Sequence, residues 1–347
     1  MGYPVSPCLV NDILGRVSAR DSDWDGVRLH VVTGKGGTGK TTVAAALALA
    51  LAAGGRKVLL VEVEGRQGIA QLFDTPPLPY GERRVAVAAD GGDVYALAID
   101  TEEALIEYLE MFYNLRRAGK ALSKLGVVDF VTTIAPGLRD VILTGKASEA
   151  VRRKNKDGSY VYDAVVMDAP PTGRITQFLN VNTEVAGLAK VGPIRNHADV
   201  VMSVIRSPQS AVHFVTLLEE MPVQEALDGI HHLGESGIPI GAVIVNMERS
   251  PVLLKADLDA AAAGTLDLDQ ITHGIKAAGL EHDAERIAAV LAREASYHAQ
   301  RTALEAREKA RLADLDGPCY ELPLLADGMD LAGLYDLAQS LRNQGAA

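Results

Sequence analysis

A glycine-rich run, Gly34-Lys35-Gly36-Gly37-Thr38-Gly39-Lys40-Thr41-Thr42, separates two apolar stretches of this 347-residue chain and leaves few folds open to it. Residues 28–33 (RLHVVT) are β-branched and apolar and predict a strand. From Lys40 to Ala53 the chain is mostly Ala and Leu and predicts a buried helix, closed by Gly54-Gly55. The spacing G-x-x-x-x-G-K-[ST] runs from Gly34 to Thr41. Each residue type has a reason. Glycines at 34, 36, 37 and 39 let successive backbone N–H groups, with those of Thr38 and Thr42, turn inward around phosphates. The helix start adds the positive end of a dipole. Lys40 is placed to reach the β- and γ-phosphates, and the Thr41 hydroxyl to reach Mg²⁺.

The same residues also satisfy G-x-G-x-x-G, and Glu62 and Glu64 lie where a dinucleotide fold keeps its ribose-binding acid, about 20 residues on. Lys40-Thr41-Thr42 decides between the two. A dinucleotide fold has no use for a lysine and a metal-binding hydroxyl at the helix start. The expected ligands are therefore ATP or ADP with Mg²⁺.

Residues 57–63 (KVLLVEV) predict a second strand, so strand, helix and strand form a right-handed βαβ unit. Further apolar runs at 94–99, 164–167, 214–218, 242–245 and 319–322 are of strand length. Continuous rather than alternating apolar strands suit a sheet covered on both faces. The expected fold is α/β, a doubly wound and mainly parallel sheet. Residues 1–26 read as a flexible arm and 27–347 as one domain. A helical insertion is expected at about 101–150 and a second helical stretch at about 256–312.

A net charge of -11 disfavours nucleic acid. The basic cluster Arg152-Arg153-Lys154 sits beside Asp157-Gly158-Ser159 and reads as a solvated hairpin. The two cysteines, Cys8 and Cys319, have no metal-ligand spacing, so neither zinc nor a disulfide framework is expected. No run reaches the roughly 18 apolar residues of a membrane span, and the N-terminal residues carry no continuous apolar core of a signal peptide. The expected location is cytoplasmic, with membrane contact at most peripheral and through a partner.

Lys35 narrows the reading. A loop of the form GKGGTGKTT resembles the deviant Walker A of the SIMIBI class, which includes nitrogenase iron protein, the chromosome-partition and septum-site ATPases, and the ArsA/Get-type ATPases. The resemblance implies a face-to-face dimer in which Lys35 acts on the partner's nucleotide. Val165 to Arg174 (VVMDAPPTGR) looks like the D-T-A-P-T-G-H switch II loop of the ArsA/Get family, matching at Asp168, Pro171, Thr172 and Gly173. At a strand's carboxyl end Asp168 can hold Mg²⁺ through water, and Gly173 can bring its amide to the γ-phosphate. Residues 134–140 (IAPGLRD) and 215–225 resemble further family segments. Val243-Ile244-Val245-Asn246 resembles the strand ending in the adenine-reading asparagine. Pro323-Leu324-Leu325 resembles the loop that covers the base.

Where the family's switch I reads D-T-D-P-A-x-S, this chain has Glu62-Val63-Glu64-Gly65-Arg66-Gln67-Gly68. Glu64 stands in the place of the acid that activates water. It is a competent base, but one methylene longer, so slow turnover is expected. The zinc clamp of the eukaryotic targeting ATPases and the cysteine cluster of the arsenite pump are both missing. The partner is then either a second copy or a related ATPase chain. Residues 105–115 (LIEYLEMFYNL) are apolar enough to line a groove for a hydrophobic or membrane-protein client, although an apolar stripe at helical spacing more often packs on its own domain. The reading from a different class is a low-turnover nucleotide-binding scaffold that works with a paralogous chain.

Overall fold

The computed structural model describes residues 23–100, 102–104, 106–107, 136–188, 193–326 and 328–347. In chain order the first elements are β1 (Leu29–Gly34), α1 (Lys40–Ala52), β2 (Lys57–Glu62), α2 (Gly68–Leu72), β3 (Arg83–Val87) and β4 (Asp93–Ala98). Then come α3 (Pro136–Arg152), β5 (Ala164–Asp168), α4 (Thr172–Leu188), α5 (Pro193–Ile205), β6 (Ser210–Thr216) and α6 (Glu220–Glu235). The last are β7 (Ile240–Glu248), α7 (Lys255–Ala263), α8 (Leu268–Ala277), α9 (Ala284–Leu312), β8 (Cys319–Pro323) and α10 (Leu331–Asn343).

The eight strands among the described residues form one sheet in the order β3-β4-β2-β5-β1-β6-β7-β8. All neighbours are parallel except β3 and β4. Strand β1 lies in the middle, with Val32 opposite Asp168 on one side and Gly34 opposite Val215 on the other. Because successive side chains alternate, the sheet feeds two cores. Val31, Val61 and Met167 pack with α3, α4, α5 and α6. Val32, Leu60 and Val166 pack with α1, α2 and α10. Helix α1 is buried from Val43 to Ala52, which explains why its sequence is apolar all round.

The expected doubly wound sheet is present, and three helices fill the stretch from 255 to 312. Two features differ from the sequence reading. Strand β3 begins with the exposed pair Arg83 and Arg84, and Arg84 Nε donates to Asp93 Oδ1 at 2.7 Å. A charged edge strand lacks the apolar signature of a central one, and such charge protects the edge from further pairing. Strand β6 starts earlier than its apolar run, because Ser210 and His213 are buried inside it. Of the proposed apolar face at 105–115, only Ile106 and Glu107 fall among the described residues.

Candidate nucleotide-binding site

The glycine-rich loop leaves the carboxyl end of β1 and is fixed by its neighbours. A Cβ on Gly34 would stand 2.2 Å from the Val215 carbonyl oxygen, so only glycine lets β1 and β6 approach this closely. Gly39 has φ +86°, and a Cβ there would meet Asn246 Nδ2 at 2.4 Å. Thr38 Oγ1 donates to the Lys35 carbonyl at 2.9 Å, and Asn246 Nδ2 donates to the Thr38 carbonyl at 2.9 Å. Gly36 and Gly37 are exposed at the tip, with open space around them. Helix α1 begins at Lys40 without a side-chain cap or an acid in its first turn, so its leading N–H groups are available to an anion. Thr42 is half-buried in that turn.

Lys40 and Thr41 enter the helix facing β5. Thr41 Oγ1 donates to Asp168 Oδ2 at 2.7 Å. Lys40 Nζ lies 3.5 Å from the Lys35 carbonyl. Burial lowers the affinity of Lys40 for its proton, against the pull of Asp168 and Glu64. Burial also pushes the Asp168 carboxyl up to about 6; Thr41 and Lys40 pull it down, while Glu62 and Glu64 add to the rise. A buried surplus of carboxylate beside a threonine hydroxyl is a set of hard oxygen donors. It fits Mg²⁺, with Thr41 and Asp168 as the groups to hold it.

The remaining segments converge on this centre. Glu64 is paired with Arg66, 3.5 Å away. Thr33 Oγ1 donates to the Pro170 carbonyl at 2.7 Å, which ties the loop after β5 to β1. Gly173 is exposed in the first turn of α4, with open space where a Cβ would stand. Arg174 lies 3.5 Å from Asp140 of α3, and Arg139 donates to the Val63 carbonyl at 3.4 Å. These contacts join three segments that the sequence reading named separately. Lys35 is hydrogen-bonded to Glu225 of α6.

Asn246 opens on a cavity of about 340 Å³ lined by Leu217, Leu218, Met247, Arg301 and Leu304, among others. Pro323 and Leu324 are outside that lining. Pro323 ends β8, and Leu324 donates its N–H to the Glu248 carbonyl at 2.9 Å. The structure therefore brings together the whole loop, Asp168, Glu64 and Asn246, and leaves the Pro323-Leu324 pair at the rim. Glu225 as the partner of Lys35 was not legible beforehand, because the two are 190 residues apart.

A central strand that runs through a phosphate loop into a buried helix, within a mainly parallel sheet, defines a P-loop NTPase-type α/β protein. The sequence profile of the anion-transporting ATPases (ArsA_ATPase) matches residues 27–208, and the chain belongs to that family as an ATPase of the ArsA type. Its relatives agree. ATPase BagA of Mycobacterium tuberculosis is 55% identical over 324 residues, covering 93% of this chain and 95% of that protein. The putative arsenical pump-driving ATPase 2 of Aquifex aeolicus is 26% identical over 250 residues, 63% of this chain and 80% of its own. The arsenical pump-driving ATPase of Acidiphilium multivorum is 26% identical over 232 residues, 62% of this chain and 38% of its own. Among the described residues, no helix is long and apolar enough to cross a membrane.

Proposed function

We propose that this chain is a Mg²⁺-dependent ATP hydrolase that works as a nucleotide-driven dimeric switch in the cytoplasm. The observation that carries the reading is the Thr41–Asp168 hydrogen bond of 2.7 Å beside Lys40, at the meeting point of α1 and β5. In this account the loop amides and Lys40 hold the β- and γ-phosphates, and Asn246 holds the loop against the base-side cavity. Gly173 brings an amide to the γ-phosphate. Mg²⁺, when bound, supplies charge neutralisation at the phosphates. Glu64 accepts the proton of the attacking water, and Lys35 of one subunit neutralises charge on the nucleotide of the other. A hydrophobic or membrane-protein client is then held or released as the dimer closes and opens.

A second reading is favoured by the Glu64–Arg66 pair. A carboxylate engaged by a cation is less free to turn to the attacking water, which suits a slow scaffold subunit that completes its site with a related ATPase chain.

Phosphate release by the purified chain with ATP, in Mg²⁺ and in EDTA, tests the enzyme claim, with Asp168→Asn as the control. Mg²⁺-dependent release that the variant loses supports hydrolysis. A chain that binds ATP yet releases no phosphate moves the case to the scaffold reading.

A further inference from the structure

Glu62 ends β2 as Asp168 ends β5, and the two are register partners on adjacent parallel strands. Alternation places them on the same face. Val58 and Leu60 of β2 pack in the core beneath α1, as do Ala164 and Val166 of β5. Glu62 and Asp168 follow two residues later on each strand, so both carboxylates lie over the start of α1. Glu62 is only 2% exposed. Its Oε2 accepts from the Ile69 N–H at 3.2 Å, at the start of α2. Its Oε1 is buried and has no hydrogen-bond partner among the described residues.

A buried carboxylate oxygen without a partner is costly, and an uncompensated buried charge more so. Had helix capping been its whole purpose, a neutral glutamine would accept from Ile69 without burying a charge. The side chain next to it, Asp168, already spends one oxygen on Thr41, the residue at the foot of the phosphate loop. A water held by a divalent cation is the donor that would satisfy the second Glu62 oxygen and offset both charges at once.

We propose that Glu62 is a positioning residue for Mg²⁺, whose free oxygen accepts a hydrogen bond from water of the ion's shell beside Asp168. This rests on the reading that Mg²⁺-nucleotide binds here. Two acids from neighbouring strands then orient one ion, with Asp168 fixed by Thr41 and Glu62 fixed by Ile69. Partners of this outer kind are worth about 10- to 100-fold in metal affinity when removed.

The test is Glu62→Gln, which keeps volume and the acceptor for Ile69 and removes the charge. Affinity for ADP is measured by calorimetry in EDTA and in Mg²⁺, and Mn²⁺ binding to the ADP complex by electron paramagnetic resonance. Thermal melting without ligand checks the fold. The expected result is an unchanged affinity in EDTA and Mn²⁺ binding weaker by about 10-fold or more. Mn²⁺ binding within about twofold of wild type overturns the inference and leaves Glu62 as a support for α2 alone. If the glutamine variant fails to fold, Glu62→Asp keeps the charge but withdraws it by one methylene, and the same Mn²⁺ reading applies. A wild-type protein whose ADP affinity gains nothing from Mg²⁺ would remove the parent reading and this one together. A wild-type gain that the variant keeps removes this one only.

Discussion

The Lys35 ammonium is paired with the Glu225 carboxylate of its own chain, and the second Glu225 oxygen accepts from Thr172 Oγ1 at 3.1 Å. One acid on α6 thus touches both the start of the phosphate loop and the segment after β5. In the proposed switch Lys35 serves the nucleotide of a second subunit, so closure has to break this pair. The two side chains are 31% and 33% exposed, and a pair of that kind is worth up to about 1 kcal/mol. A closed dimer breaks two such pairs, so Glu225→Gln should tighten ATP-dependent association up to roughly thirtyfold, read by analytical ultracentrifugation in ATP. Unchanged association would mean that the pair is not a latch.

Asn246→Ala removes the donor to the Thr38 carbonyl. One buried hydrogen bond is worth about 1–3 kcal/mol when a partner is left unpaired. ATP affinity should drop about tenfold while the thermal midpoint moves by a few degrees. Calorimetric titration reads the first and a melting curve the second.

Glu64→Gln keeps the shape of the proposed base and abolishes its basicity. Turnover should fall about 10²-fold or more with ATP affinity little changed. Releasing Glu64 by Arg66→Ala should act in the opposite direction. Single-turnover kinetics separate these effects from binding, and equal rates in all three proteins would remove Glu64 from the chemistry.

The parts of the site that were legible in the sequence are local ones. The loop, the strand before it and the helix after it lie within 29–52, and their residue types follow from backbone geometry. Asp168 was legible because an apolar strand closed by an acid is a compact signal. The same signal marks Glu62, which ends Val58-Leu59-Leu60-Val61, yet once the dinucleotide reading is set aside the sequence gives it no role of its own. Its buried, unpartnered oxygen exists only once β2 and β5 are adjacent. The Lys35–Glu225 and Asn246–Thr38 contacts span 190 and 208 residues and depend on the strand order β1-β6-β7. His213 hid the start of β6 because a histidine in a strand looks polar until its partners are known.

Those partners make a pH prediction. The Ala242 N–H donates to His213 Nδ1 at 3.1 Å, which puts the His213 proton on Nε2, 3.1 Å from His30 Nδ1. The rings stack at 5.3 Å and both residues are fully buried. Burial, with a smaller push from Arg56 against a backbone hydrogen bond at Val27, lowers His30 to about 4; burial and His30 lower His213 well below its usual range. The unfolded histidines take up protons near 6.5 and the folded ones do not. Stability is then full above about 6.5 and is lost as pH falls from there towards 4, by roughly 3 kcal/mol for His30 alone. Urea midpoints at several pH values read this slope, and His30→Asn should flatten it.

In the proposed switch, Lys35 of one subunit completes the site of another. Lys35→Ala and Asp168→Asn each disable a site, but by different means. In a mixed dimer the Asp168→Asn subunit lends its intact Lys35 to the intact Asp168 of its partner. ATP turnover measured on each variant alone and on their equimolar mixture is the direct test. Silence is expected from each and, on mixing, roughly a quarter of the wild-type rate, since about half the dimers are mixed and each has one good site. A mixture as silent as its two components, with both variants folded and binding nucleotide, would contradict it.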